Sequence, residues 1–262
     1  MTLRWPAEAI WEAVAPLLPG FTVEILPEID STNSELMRRA RAGQPEPILL
    51  VALRQTAGRG RLGRDWQSDT DAGLATLTFS LGLPLQPADW SGLSLAVGLS
   101  VVQSLHPALK LKWPNDVWLE DRKLAGILIE TTSVGDLRYA VIGIGVNLLA
   151  RAADGLRTPP AALSEVLPGA DAPTTLEAIA LPLVRAVLAF EAQGFGGLRT
   201  AFHVRDLLYG REVSCTDGTT GMARGVDASG ALLVHTASGL QKISSAEVSV
   251  RPVLSPVSPN NP

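Results

Sequence analysis

Between residues 48 and 149 the chain delivers apolar runs of strand length, interrupted by one apolar helical stretch, and the gap after the first run is filled with glycine and arginine. Residues 48–53 form a continuous apolar run. Residues 74–83, 109–112, 116–120, 123–131 and 139–149 follow as further strands, with Asp121-Arg122 as a turn between two of them. The helix among them opens at Asp89 or Ser91 and reaches Leu105. Ahead of this block lie a strand over 21–29 and a helix over 32–41. Thr32 has the position of its N-cap, Glu35 completes a capping box, and Gly43 is the stop signal. The pattern predicts an α+β fold, a mixed sheet with helices mainly on one face.

The later part of the chain changes texture. Residues 151–173 are rich in Ala, Pro and Gly and predict a long loop. Residues 174–193 predict a helix, opened by Thr174 and Glu177 and kinked at Pro182. A further helix is expected near 197–208. From 210 to 251, Asp217-Gly218, Ser229-Gly230 and Ser238-Gly239 punctuate short strands at about ten-residue spacing, the signature of a small barrel or sandwich. The expected domains are 1–208, 209–253 and a disordered tail over 254–262.

Composition narrows the function classes. The 262 residues carry a net charge of −4, so a broad basic nucleic-acid surface is not expected and any positive site must be local. One cysteine, Cys215, allows no internal disulfide and reads as a small core residue. The first 20 residues contain Arg4, Glu8 and Glu12 and do not read as a signal peptide, and no apolar stretch is long enough for a membrane span. A cytoplasmic location and no membrane partner are the expectation.

The local positive site is Gly58-Arg59-Gly60-Arg61-Leu62-Gly63-Arg64-Asp65-Trp66. Glycines allow close backbone approach to a ligand, and arginine forks suit phosphate and carboxylate oxygens. The same residues also fit a solvated loop or an RNA-binding arginine patch. A second segment, Lys112-Trp113-Pro114-Asn115-Asp116, precedes Lys123-Leu124-Ala125-Gly126-Ile127-Leu128-Ile129-Glu130. Lys112 and Lys123 sit in apolar runs, where a buried lysine needs an anionic partner, and Asp116 offers a carboxylate for Mg²⁺. Both lysines facing solvent is the plainer alternative. Gly143-Ile144-Gly145-Val146-Asn147 places glycines inside a strand, as where a ligand lies against backbone. Ser31-Thr32-Asn33 fits either a polar head group or helix capping. Trp66 and Trp113 offer flat apolar walls; Trp5, Trp11, Trp90 and Trp118 read as ordinary packing. His106, His203 and His235 have no spacing that suggests a metal or a catalytic pair.

Taken together and in this order, these segments resemble the biotin–protein ligase family, and the resemblance spans most of residues 25–150. The 210–251 region is similar to that family's small SH3-like domain, with Arg205-Asp206 before Gly210. The resemblance implies a class II synthetase-like catalytic domain, ATP and biotin as substrates, Mg²⁺, and a biotin carboxyl carrier protein as acceptor. It implies that Ser31, Thr32, Asn33 and Gln55 contact the biotin ureido ring, with Trp113, Gly126, Gly143 and Gly145 lining the biotin pocket. It places Arg59, Gly60 and Arg61 in a loop closing over biotin and the adenylate. Lys123 would bridge the biotin carboxylate and the α-phosphate. Lys112, Asn115, Asp116 and Asn147 would lie near phosphates, metal and nucleotide, with Arg64 and Trp66 on the adenine side. Lys123, Arg61, Lys112 and Asp116 are the expected catalytic set.

The sequence departs from the family pattern at Asp69-Thr70-Asp71-Ala72-Gly73 and at Ser245-Ala246-Glu247. About 30 residues precede Ser31, so no DNA-binding role is expected, and either a monomer or a homodimer is compatible. The alternatives are a lipoate–protein ligase-like adenylating enzyme and a non-catalytic RNA- or nucleotide-binding module.

Overall fold

The computed structural model describes residues 4–66, 74–150 and 160–244, and the backbone of 250–252. The segments 69–73 and 245–247, the tail and residues 151–159 of the 151–173 loop lie outside the described residues.

In chain order, the first unit runs α1 (Ala7–Val14), β1 (Thr22–Ile29), α2 (Thr32–Arg41), β2 (Ile48–Gln55), β3 (Thr76–Pro84), α3 (Leu93–Leu105), β4 (Leu109–Lys112), β5 (Asp116–Leu119), β6 (Arg122–Val134), β7 (Leu137–Asn147), α4 (Ala172–Gln193) and α5 (Arg199–Arg205). Its seven strands form one sheet in the order β1-β2-β3-β7-β6-β5-β4. The β1–β2 pair is parallel and the other pairs are antiparallel, so the sheet is mixed as expected.

Alternation along the strands sorts the side chains onto two faces. Leu49 and Val51, Leu77, Phe79 and Leu81, and Ile142, Ile144 and Val146 join α1, α3 and α4 in the main core. The opposite face carries α2, whose Leu36, Met37 and Ala40 pack on Ile48, Leu50, Tyr139 and Val141. Helices therefore lie mainly on one face. Next to α2 the sheet surface is not apolar: it presents Thr78, Ser80, Gly143, Gly145 and Gly126, and this is where a site can form.

Lys123 reaches that face through a bulge. Asp116 and Val117 pair with Gly126 and Ala125, whereas Trp118 and Leu119 pair with Lys123 and Arg122, which leaves Leu124 as an extra residue in β6. Leu124 and Ala125 both enter the main core, and Lys123 emerges beside Gly126. In a regular strand Lys123 would share a face with Ala125 and Ile127, inside that core. Burying an unpaired ammonium costs several kcal/mol, against about 1 kcal/mol for a disturbed ladder hydrogen bond, so the bulge is the cheaper solution.

Two helix starts differ from the sequence expectation. Ser31, not Thr32, is the N-cap of α2; it has extended backbone and its hydroxyl accepts from Ser34 N. Asp171, not Thr174, caps α4 and accepts from Thr174 N at 2.8 Å. In both places two capping residue types stand near each other, and the one whose backbone is extended takes the role. Helix α3 starts at Leu93, after Gly92. Helix α4 continues through Pro182 as one helix. Gly43, at φ +83°, ends the α2 region as expected.

The second unit holds β8 (Glu212–Cys215), β9 (Thr220–Val226), β10 (Leu232–Thr236), β11 (Gly239–Ile243) and β12 (Val250–Pro252), antiparallel in the order β11-β10-β9-β8-β12. The described ladder is open, with β11 and β12 at its edges. Cys215 is buried there, and burial pushes its thiol up to about 11. Among the described residues the two units are joined by hydrogen bonds that include Trp113 Nε1 to Gly230 O at 2.9 Å, Arg199 Nε to Val226 O at 3.1 Å and Arg211 Nη1 to Asp121 Oδ1 at 2.7 Å. Among the described residues no helix is long and apolar enough to cross a membrane.

Candidate active site

The start of α2 forms a polar shelf. Because Ser31 takes the cap, Thr32 lies in the first turn and its hydroxyl is released from capping. Thr32 N and Oγ1 donate to Gln55 Oε1 at 2.8 and 3.1 Å, from the end of β2. Asn33 points across to β6: its Nδ2 donates to Glu130 Oε2 (2.9 Å) and Leu128 O (3.2 Å). Ser80 of β3 lies beneath, its hydroxyl 2.7 Å from both Thr32 Oγ1 and Asn33 Oδ1. Ser31, Thr32, Asn33, Gln55 and Ser80 are all buried, so the shelf is a fixed array of donors and acceptors.

The glycine–arginine loop folds over this face. Gly58 and Trp66 close its base through Trp66 N to Gly58 O at 2.9 Å, and Gly60 N donates to Arg64 O at 2.6 Å. A Cβ on Gly58 would run into the Trp66 carbonyl. The indole of Trp66 then lies on the sheet, over Gly145 and beside Gly126, with Nε1 3.4 Å from Thr78 Oγ1. Gly143 makes room for the Asn33 amide. The glycines of 143–145 thus serve side chains of the protein itself: a Cβ at either position would collide with Asn33 or Trp66.

Arg61 reaches into the cleft from the loop. Its Nη1 donates to Asn115 Oδ1 at 3.3 Å, while Asn115 Nδ2 donates to Ile127 O at 2.7 Å. Burial lowers the Arg61 pKa, the Asp116 charge opposes that shift, and Arg64 adds to it. The guanidinium stays charged at any physiological pH. On the opposite wall Lys123 Nζ sits 2.7 Å from Asp116 Oδ1.

These residues surround a cleft lined by Ser31, Thr32, Asn33, Gln55, Arg59, Gly60, Arg61, Trp66, Asn115, Lys123, Gly126, Gly143 and Gly145, with Thr78 and Leu128. Five sequence-chosen residues stand off the lining. Lys112 lies over the Trp118 ring at 4.4 Å, in the same cross-strand row as Asp116. Asp116 is paired with Lys123. Asn147 is buried, donates to Lys123 O at 3.3 Å, and leaves its Oδ1 without a partner. Arg64 sits on the exposed side of the loop. The expectation of a ligand wall at Trp113 is corrected: its ring is buried in the main core and its Nε1 is tied to Gly230. Trp113 follows β4 where the chain turns toward β5, and there its ring meets α3 and the second unit instead of the cleft.

Ser80, Thr78 and Glu130 belong to the cleft surroundings and were not singled out from sequence. Thr76, Thr78 and Ser80 alternate with Leu77 and Phe79, a polar stripe on an otherwise buried strand, which was a usable signal. Glu130 had none, because its partners come from loop and helix.

A mixed sheet carrying a polar shelf, two converging cations and a glycine-hinged loop defines an enzyme that handles a small anionic substrate. Residues 26–147 match the biotin/lipoate A/B protein ligase family, and residues 209–251 match the biotin protein ligase C terminal domain. The bifunctional ligase/repressor BirA of Escherichia coli is 35% identical over 248 residues, covering 89% of this chain and 75% of that protein. The biotin–[acetyl-CoA-carboxylase] ligase of Paracoccus denitrificans is 34% identical over 237 residues, covering 86% and 98%. The biotin protein ligase of Aquifex aeolicus, solved in complex with biotin and ATP, superposes with a TM-score of 0.76 at 29% identity, covering 88% and 99%. The chain belongs to the biotin protein ligase family.

Proposed function

We propose that this protein activates biotin with ATP to biotinyl-5′-AMP and transfers the biotin to one lysine of a biotin carboxyl carrier protein. The observation that carries the reading is the convergence of Arg61 and Lys123 on one cleft with the Ser31–Asn33 shelf. The units proposed for it are 1–208 for catalysis and 209–253 as the small C-terminal domain.

The chemistry needs cations at one point. A carboxylate oxygen must approach the α-phosphorus, which brings anion to anion; the phosphorus–oxygen bond to pyrophosphate breaks and the mixed anhydride forms. Lys123 would bridge carboxylate and α-phosphate, giving up the Asp116 carboxylate it contacts at rest. Arg61, held by Asn115, would meet the phosphate oxygens from the other side. The shelf of Thr32, Asn33 and Gln55 suits a urea, which has both donors and an acceptor. The unpaired Asn147 Oδ1 is an acceptor near the nucleotide end. In the second step the neutral lysine amine attacks the acyl carbon, AMP leaves with the carbon–oxygen bond pair, and the amine proton is lost to water. No side chain needs to act as nucleophile.

Mg²⁺ fits as a companion of ATP. Among the described residues no group of three or more His, Cys, Asp or Glu is placed to hold a metal alone. Mg²⁺ commonly takes only one or two carboxylates together with substrate phosphates and water, and Asp116 offers one. When bound it would supply charge neutralisation on the phosphates.

The test mixes the protein with ATP, Mg²⁺, biotin and a biotin carrier domain and reads the carrier's mass. One added biotinyl group per carrier is expected. The carrier unchanged, with lipoate instead of biotin driving pyrophosphate exchange, would replace the substrate in this reading.

A further inference from the structure

Arg59 does not lie against the shelf; it crosses the mouth of the cleft to Glu130. Its Nη2 donates to Glu130 Oε1 at 3.0 Å and Oε2 at 2.8 Å. The Glu130 carboxylate is also fixed by Asn33 Nδ2 at 2.9 Å, and Asn33 is held by Ser80, which touches Thr32. A continuous chain of hydrogen bonds therefore runs Gln55–Thr32–Ser80–Asn33–Glu130–Arg59, from the floor of the shelf to the loop that covers it. An isolated ion pair as exposed as Arg59–Glu130 contributes little. This one differs because Glu130 is a quarter exposed and its carboxylate cannot swing away without breaking the Asn33 bond.

We propose that Glu130 is a positioning residue that latches the Gly58–Trp66 loop over the cleft through Arg59, and that Asn33 ties the latch to the biotin shelf. The proposal rests on the functional reading above. Its consequence is that a molecule seated on Asn33 braces the same carboxylate that holds the loop shut, so the loop is most firmly closed when the shelf is filled. A mixed anhydride needs that coupling, since loop opening exposes it to water.

The latch is tested by loading the protein with biotinyl-AMP made from biotin, ATP and Mg²⁺, and following adenylate loss by stopped chase. Glu130→Gln keeps an acceptor for Asn33 or for Arg59, not a charged one for both. It is expected to shorten retention roughly three- to tenfold. In an Arg59→Gln background the same change is expected to have no further effect, an outcome that a merely structural Glu130 would not give. Glu130→Asp, whose shorter arm keeps the charge, is expected to fall between the two and stands in should Glu130→Gln fail to fold. Equal retention in wild type and Glu130→Gln, or equal loss with and without Arg59, overturns the latch alone. A wild type that accumulates no adenylate overturns the functional reading and the latch with it.

Discussion

Lys123 Nζ lies 2.7 Å from Asp116 Oδ1 because Leu124 is one residue too many for the β5–β6 ladder. The pairing is thus a product of register. It places a cation over the cleft and keeps it neutralised until an anionic substrate competes for it.

Replacing Lys123 by Met should leave the fold intact and abolish the first half-reaction. Biotin-dependent pyrophosphate exchange is expected to fall about 100-fold or more, the size typical for loss of one preorganised charge-stabilising donor. Deleting Leu124 removes the extra residue and a core side chain but leaves Lys123 next to Ala125, still on the cleft face, so stability should fall by roughly 2–5 kcal/mol while pyrophosphate exchange survives. Exchange lost as completely as in Lys123→Met would refute the bulge argument.

Arg61→Gly removes the loop's reach to Asn115 and its charge at the phosphates. Adenylate formed by this variant is expected to escape at least about tenfold faster, from the loss of one to two charge-assisted hydrogen bonds. Rapid gel filtration of the loaded protein measures it, and retention equal to wild type would remove Arg61 from the loop assignment.

Gly143→Ala and Gly145→Ala should damage the cleft through different side chains. The first displaces Asn33 and the second Trp66. Each is expected to cost roughly 1–3 kcal/mol of stability through overpacking. Tryptophan emission should move only for Gly145→Ala; the same spectral change in both would contradict the separate roles.

Asp206 gives the protein a pH-dependent stability term. Burial raises its pKa to about 6, against opposing hydrogen bonds from Leu208 and Tyr209 and the His203 charge, and its Oδ2 has no partner. The folded state therefore binds this proton more tightly than the unfolded chain does. The contribution is full below pH about 4 and is lost as pH rises through about 6, a swing of up to about 3 kcal/mol. Chemical denaturation at pH 4, 5, 6 and 7 should show this fall, and Asp206→Asn should flatten it. Identical slopes in the two proteins would exclude Asp206 as the source.

Much of the site was legible in the chain because it is made of local devices. The Ser31-Thr32-Asn33 helix start, the glycine hinges of 58–63 and the charged forks of Arg59 and Arg61 work through their own backbone neighbourhood, and a cleft lined by all of them is what the structure contains. Trp113 was misread for the opposite reason. A tryptophan beside polar residues looks the same whether its ring faces a ligand or a core, and only the packing of α3 and the Gly230 carbonyl decides.

What the amino-acid order settled by itself is most of the elements from β1 onward, the polar start of α2 and the local concentration of positive charge, since caps, turns and glycine hinges act over a few residues; helix α1, which has no side-chain cap, was not read. Tertiary structure alone decided which way Lys123 points, what the glycines at 143 and 145 accommodate, and that Glu130 meets Arg59 71 positions away. Those outcomes depend on strand register and on side chains arriving from other elements, and neither has a signature in the residues on one strand.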